Sequence, residues 1–133
     1  MPDNLTPDQR KRCMSSVRTK DTDIEVRVRS ALHRHGLRFR KHVQDLPGRP
    51  DIVFPRARVA VFVDGDFWHG RDFDNWRDSV SSFWQKKIDI NRARDERNCL
   101  ELESRGWRVL RLWQHDIEND LDACVEHVRV LVA

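Results

Sequence analysis

The chain has 133 residues, 35% of them charged, with a net charge of +3 and a mean hydropathy of −0.76. That length suits one domain with a single hydrophobic core. No apolar run approaches the ~18 residues of a membrane span, the polar N-terminus is no signal peptide, and the isolated Cys13, Cys99 and Cys124 argue against a disulfide framework, so a cytoplasmic protein is expected.

Taken in chain order, Thr6-Pro7 is an N-cap followed by proline at the first helical position, which predicts a helix from about Pro7 to Val17. Lys11 and Arg12 stand beside Met14 there, and the weak apolar stripe suggests a basic arm rather than a core helix. Asp21 or Thr22 caps a second helix, roughly Asp23 to His35, with Gly36 as its stop. Ile24, Val28, Ala31 and Leu32 share one face of it, and Glu25 sits at that face's edge in the first turn. Leu37 to Val43 alternates as a half-buried strand does. Asp51 then opens an apolar run (Ile52, Val53, Phe54), Pro55 to Arg58 supplies a turn, and Val59 to Val63 returns to Asp64. Residues 64–79 read as a long polar loop, a kind of segment that is often functional. A helical pattern covers about Val80 to Arg105, its stripe apolar at both ends and polar at Asn91 and Asp95. Trp107 to Trp113 is a strand, and Ile117 to Val132 a final amphipathic helix. The order is α-α-β-β-β-α-β-α, an α/β (α+β) fold with a mixed sheet flanked by helices.

The charge is unevenly spread. Residues 1–50 carry 12 Lys/Arg against 6 Asp/Glu, whereas residues 116–133 carry 1 against 5. A basic arm beside an acid cluster suits a polyanionic substrate, although a solvated basic helix explains the charge alone.

The hairpin holds the chemistry. Reflecting the chain about a turn centred near Arg56–Ala57 sets Asp51 opposite Phe62–Val63, so Asp51 and Asp64 lie near one end of the hairpin. Acids there, close to a main-chain carbonyl, suit Mg²⁺, which takes hard oxygen ligands. Asp64-Gly65-Asp66 also fits an ordinary turn. Phe67-Trp68 is an adjacent aromatic pair in a polar loop, where such side chains wedge into or stack on bases, or else fold back as an anchor. His69 follows, with an ordinary pKa suited to acid–base work near neutrality. Asn91 and Asp95, four apart on one helical face, either make buried hydrogen bonds or orient a catalytic histidine. Trp84, Trp107 and Trp113 fall at core positions.

The segments KDTDIE (20–25), LPGRPDIVF (46–54), VAVFVDGDFWHG (59–70), FWQKKIDINRARD (83–95) and GWRVLRLW (106–113) together resemble the very-short-patch-repair (Vsr) DNA mismatch endonucleases. These belong to the restriction-endonuclease-like PD-(D/E)xK superfamily, and the resemblance spans roughly residues 8–115. It implies a Mg²⁺-dependent endonuclease, with two ions expected, that nicks one strand of duplex DNA 5′ to the T of a T·G mismatch left by deamination of 5-methylcytosine. Asp51 would then be the central metal ligand and the main-chain carbonyl of Val63 a second. His69 would be a general acid/base oriented by Asp95, and Glu25 would hold a metal-bound water. Phe67 and Trp68 would wedge beside the mismatch, with Met14 of the arm reaching in opposite them and Lys11 and Arg12 binding DNA. Residues 1–20 would form the DNA-contacting arm and 21–133 one endonuclease domain, acting as a monomer at the nucleoid alongside mismatch-repair proteins and a cytosine-5 methyltransferase system.

The sequence departs from the family in two places. Some members carry histidine at the position of Asp64, which leaves Asp64 either a metal ligand or a base. Asp66, Arg71 and Phe73 occupy the loop where well-known members bind structural zinc, and the region just after the last strand offers only His115. Zinc needs about four N/S ligands, so none is expected here. The loop must instead be held by packing of Phe73 and Trp76 or by ion pairs from Arg71 and Arg77. The alternatives are a related nuclease with another modified or foreign DNA target, or a non-catalytic DNA-binding module; the joint presence of Asp51, His69 and Asp95 argues against the module.

Overall fold

A computed structural model describes residues 22–133, so the helix expected at Pro7–Val17 lies outside the described residues. Helix α1 spans Asp23–Arg34. The Thr22 hydroxyl caps it by accepting from the Glu25 N–H, satisfying one of the donors a helix start leaves open. At the other end Gly36 takes φ +77°, and Leu37 N–H bonds back to the Leu32 carbonyl, closing the helix as a left-handed glycine does.

The hairpin follows as β2 (Ile52–Phe54) and β3 (Val59–Asp64), preceded by the two-residue β1 (Arg40–Lys41). Its register, Ile52↔Val61 and Phe54↔Val59, is the reflection about Arg56–Ala57 expected from the turn. Strand β4 (Arg108–Trp113) lies parallel to β3, from Val59↔Arg108 to Asp64↔Trp113. The mixed sheet runs β1-β2-β3-β4. Parallel neighbours need a long crossover, and α3 (Ser82–Ser104) supplies it.

Strand β3 is buried along its whole length because helices cover both faces. Val59, Val61 and Val63 join α1 and the C-terminal helices through Leu32, Ile117 and Val125. Ala60 and Phe62 face the other way, with Leu102 of α3. A third cluster, Phe73, Trp76, Val80 and Ile88, lies under the loop that follows β3. Asp64 therefore ends a strand with no solvent-facing side and is itself 2% exposed.

Four expectations need correction. The strand expected over Leu37–Val43 shrinks to Arg40–Lys41, and its far end is set by His42, which turns into the left-handed region at φ +52°. The long loop contains a helical turn, α2 (Phe73–Trp76), and a 3₁₀ turn (Arg77–Ser79). The last helix is two, α4 (Gln114–Asn119) and α5 (Leu121–Val132). Asp120 breaks them at φ −153°, ψ 75°, and its carboxylate caps α5 by accepting from Ala123 N–H. Glu25 is not at an edge but 3% exposed. No helix among the described residues is long and apolar enough to cross a membrane.

Candidate active site

Asp51 stands at the start of β2, where its Oδ2 accepts from the Val63 N–H across the hairpin at 2.7 Å. This short bond follows from the register: Asp51 also donates its own N–H to the Val61 carbonyl. Burial pushes the Asp51 carboxyl up to about 7; the Val63 bond opposes that, while the charges of Glu25 and Asp64 add to it. Three acids crowd one end of the sheet, an arrangement that a bound cation relieves.

Beside it, four side chains, from β3, the loop after it, α3 and β4, close a ring. His69 Nδ1 lies 2.5 Å from Asp95 Oδ2 on α3, and His69 Nε2 lies 3.6 Å from Asp64 Oδ1 at the end of β3. Arg111 of β4 bonds Asp64 Oδ2 at 2.5 Å and the Asp95 carbonyl at 3.3 Å, its guanidinium 4.5 Å over the Phe62 ring. The His69 pKa is raised: burial pulls it down, but the Asp95 hydrogen bond and the charges of Asp64 and Asp95 outweigh that. Burial likewise raises Asp64, against the attraction of His69 and Arg111.

The polar middle of the α3 stripe now has a physical reason. Asn91 and Asp95 share one face, and both reach the loop: Asn91 Nδ2 donates to the Trp68 carbonyl, and Asp95 holds His69. Gly70 lets the loop approach this closely. Its φ is +70°, and a Cβ there would lie 2.8 Å from both Arg92 Cδ and Ile88 Cγ2. Gly70→Ala is therefore expected to cost about 1–3 kcal/mol in stability, through strain and overpacking, and to reduce cleavage by displacing His69. Thermal unfolding with a cleavage assay checks this; an unchanged melting temperature would remove Gly70 from the account.

The aromatic pair divides. Phe67 stacks on Trp76 at 5.5 Å and packs on the cluster under the loop, while Trp68 meets Phe67 and Trp84 edge-on. The loop is fixed by both routes expected for it. Phe73 is 1% and Trp76 8% exposed, Arg71 pairs with Asp116 at 3.1 Å, and Arg77 grips Asp89 through both guanidinium nitrogens. Packing is the larger contribution, since exposed ion pairs contribute little. Asp66 adds a bond from the His115 N–H.

Sequence reasoning missed Arg111, Trp84 as a partner of the loop aromatics, and His42. Only Arg111 carried a local signal, as a cation inside an otherwise half-buried strand. Met14, Lys11 and Arg12 lie outside the described residues.

The family model for the DNA mismatch endonuclease Vsr matches residues 2–75, more than half of the chain. The chain belongs to the Vsr family. Membership makes it an endodeoxyribonuclease. A type II nicking enzyme of Xanthomonas oryzae pv. oryzae, V.XorIIP, is 46% identical over 97% of this chain and 96% of its own length. The DNA mismatch endonuclease Vsr of Escherichia coli K12 is 39% identical over 79% of this chain and 69% of its own. In three dimensions the chain is similar to the catalytic domain of the homing endonuclease I-Bth0305I, with a TM-score of 0.57 and 21% identity over 84% of this chain and 94% of that one. That likeness is one of fold: the mixed sheet and its helices form a restriction-endonuclease-like core.

Proposed function

We propose that this Vsr-family enzyme nicks one strand of duplex DNA 5′ to the T of a T·G mismatch, using divalent cations of the Mg²⁺ type. The observation that carries the reading is Asp51, buried among other acids, beside a His69 clasped by Asp95 and Asp64. A binding module needs none of these, whereas phosphodiester hydrolysis needs a cation site and a proton carrier in reach of one phosphate.

Asp51 and the Val63 carbonyl are the ligands for the cation, which supplies charge stabilisation at the attacked phosphate. Glu25 holds a water nearby. His69 moves a proton at the scissile phosphate through Nε2, while Asp95 on Nδ1 sets the ring's orientation. Sequence leaves Asp64 a metal ligand or a base; its contacts with Arg111 and His69 favour a third, electrostatic role, in which it steadies protonated His69. Arg111 offsets the second carboxylate of that clasp.

Trp68 is the wedge, with Phe67 and Trp84 as the surface that braces it. A T·G wobble unstacks at lower cost than a matched pair, so a wedge reads deformability. The basic arm of residues 1–20, with Lys11, Arg12 and Met14, completes the grip on DNA, and the loop keeps its shape without zinc. One active site suffices for one nick, so the enzyme acts as a monomer.

The deciding experiment is strand-specific cleavage of labelled T·G and matched duplexes with Mg²⁺. A single nick beside the mismatched T is expected, and equal cutting of both duplexes would sink the mismatch assignment. Trp68→Ala should weaken binding by about 1–3 kcal/mol on T·G DNA, the scale of one lost stacking contact, and by less on matched DNA. An equal loss on both makes Trp68 a loop anchor.

A further inference from the structure

The turn Leu46-Pro47-Gly48-Arg49 leads the chain into Asp51. Arg49 N–H donates to the Leu46 carbonyl at 3.0 Å and Gly48 takes φ +76°, as in a type II turn with proline second and glycine third. The turn is pressed onto the domain. A Cβ at Gly48 would lie 3.1 Å from Phe62 Cε1 and 3.2 Å from Asn98 Cβ of α3. The Phe62 ring also lies 4.5 Å under the Arg111 guanidinium, so the turn and the ring of contacts around His69 share one support. On the other side of Arg49, Pro50 is fully buried and fixes the chain again.

Held between these anchors, Arg49 takes the left-handed φ of +52°, a conformation that asparagine and glycine adopt more readily than arginine. Arg49 is exposed, and among the described residues its side chain meets neither an acid nor a hydrogen-bond acceptor. Its neighbours differ. Arg111 is engaged by Asp64 and Arg29 by Glu25, and Arg58, the other arginine in the left-handed region, bonds the Arg105 carbonyl. Arg49 thus carries backbone strain without making a contact inside the protein, and strain of that kind gathers where a group acts on a ligand. Two residues of chain span at most ~7 Å, so a phosphate next to one seated at Asp51 comes within its reach.

We infer that Arg49 is a pre-set phosphate clamp, which takes the DNA phosphate beside the one that is cut and so fixes the backbone's position over Asp51. The inference rests on the proposed place of Asp51 at the centre of cleavage. A planar guanidinium bonds two phosphate oxygens at once, which gives orientation as well as attraction. The rigid turn reduces the freedom lost when that contact forms. Phosphate contacts carry no sequence information, so Arg49 acts equally on mismatched and matched duplexes, unlike Trp68.

The test compares the full chain with Arg49→Asn, which suits the left-handed backbone and lacks the charge. Arg49→Gly replaces it if that variant melts below the parent. Both proteins are titrated, without Mg²⁺, with T·G duplexes in which one phosphate at a time is a neutral methylphosphonate. Neutralising the phosphate beside the cut should weaken the parent about ten- to hundredfold, the range for one charged hydrogen-bonded contact, and leave the variant unaffected. The slope of log affinity against log salt should fall by about one charge in the variant, on T·G and matched DNA alike. Arg49→Lys should restore that slope but recover cleavage only in part, because an ammonium lacks the fork. A parent that cuts DNA but shares the variant's methylphosphonate profile overturns the clamp alone, as does a difference confined to a phosphate remote from the cut. A parent that cuts no duplex with Mg²⁺ overturns the role of Asp51 and this inference with it.

Discussion

Asp51→Asn is expected to stop cleavage and, in the same protein, to raise the melting temperature of the metal-free form at pH 8. An unfolded aspartate ionises near its ordinary 3.8, whereas the folded Asp51 holds its proton to about 7. Between those values the folded state binds more protons than the unfolded one. Stability from this group is therefore full below about pH 4 and is lost as pH rises through about 7. About 3 pKa units would correspond to roughly 4 kcal/mol, and partial exposure reduces that to something on the order of 2 kcal/mol. For a chain of this size that is roughly 5–10 °C. Asparagine keeps an oxygen to accept the Val63 N–H and leaves no charge to bury. The parent should therefore lose melting temperature between pH 5 and pH 8 while the variant stays nearly level. Saturating Mg²⁺ at pH 8 should raise the parent alone. A variant less stable than the parent at pH 8 would mean that the hydrogen bond, not the buried charge, dominates at this position.

The second large effect concerns His69. His69→Ala should lower kcat by about 10²- to 10⁴-fold, the range for a positioned acid–base group, with DNA affinity nearly unchanged. The pH profile separates chemistry from bracing. Asp95, Asp64 and Arg111 all face the imidazole, and the two carboxylates outweigh burial and Arg111 to raise its pKa. As a general acid, His69 works while protonated, so kcat should fall only at a pH above the ordinary histidine range. Asp95→Asn removes the strongest of the stabilising contacts. It should cut kcat and move that basic limb to lower pH, whereas an unmoved limb would reduce Asp95 to a mechanical brace. The acidic limb is expected to report Asp51, whose carboxyl burial pushes up to about 7.

What the sequence alone determined is what local rules control. The limits of α1 were legible because a Thr cap and a left-handed glycine act within a turn of the backbone. The hairpin register was legible because a four-residue turn forces the pairing that follows, and with it the place of Asp51 against Val63. Asp95 stood out because a carboxylate on an otherwise core-facing stripe needs a partner. What the tertiary structure decided depends on contacts that no short window encodes. Parallel pairing of β3 with β4 joins strands separated by a helix of 23 residues, and only that register brings Arg111 to Asp64. The early end of β1 at His42 and the meeting of Trp84 with the loop aromatics are of the same kind. In each, packing against a distant element outweighed a weak local preference: alternation and periodicity specify which face of an element is buried, but not which neighbour buries it.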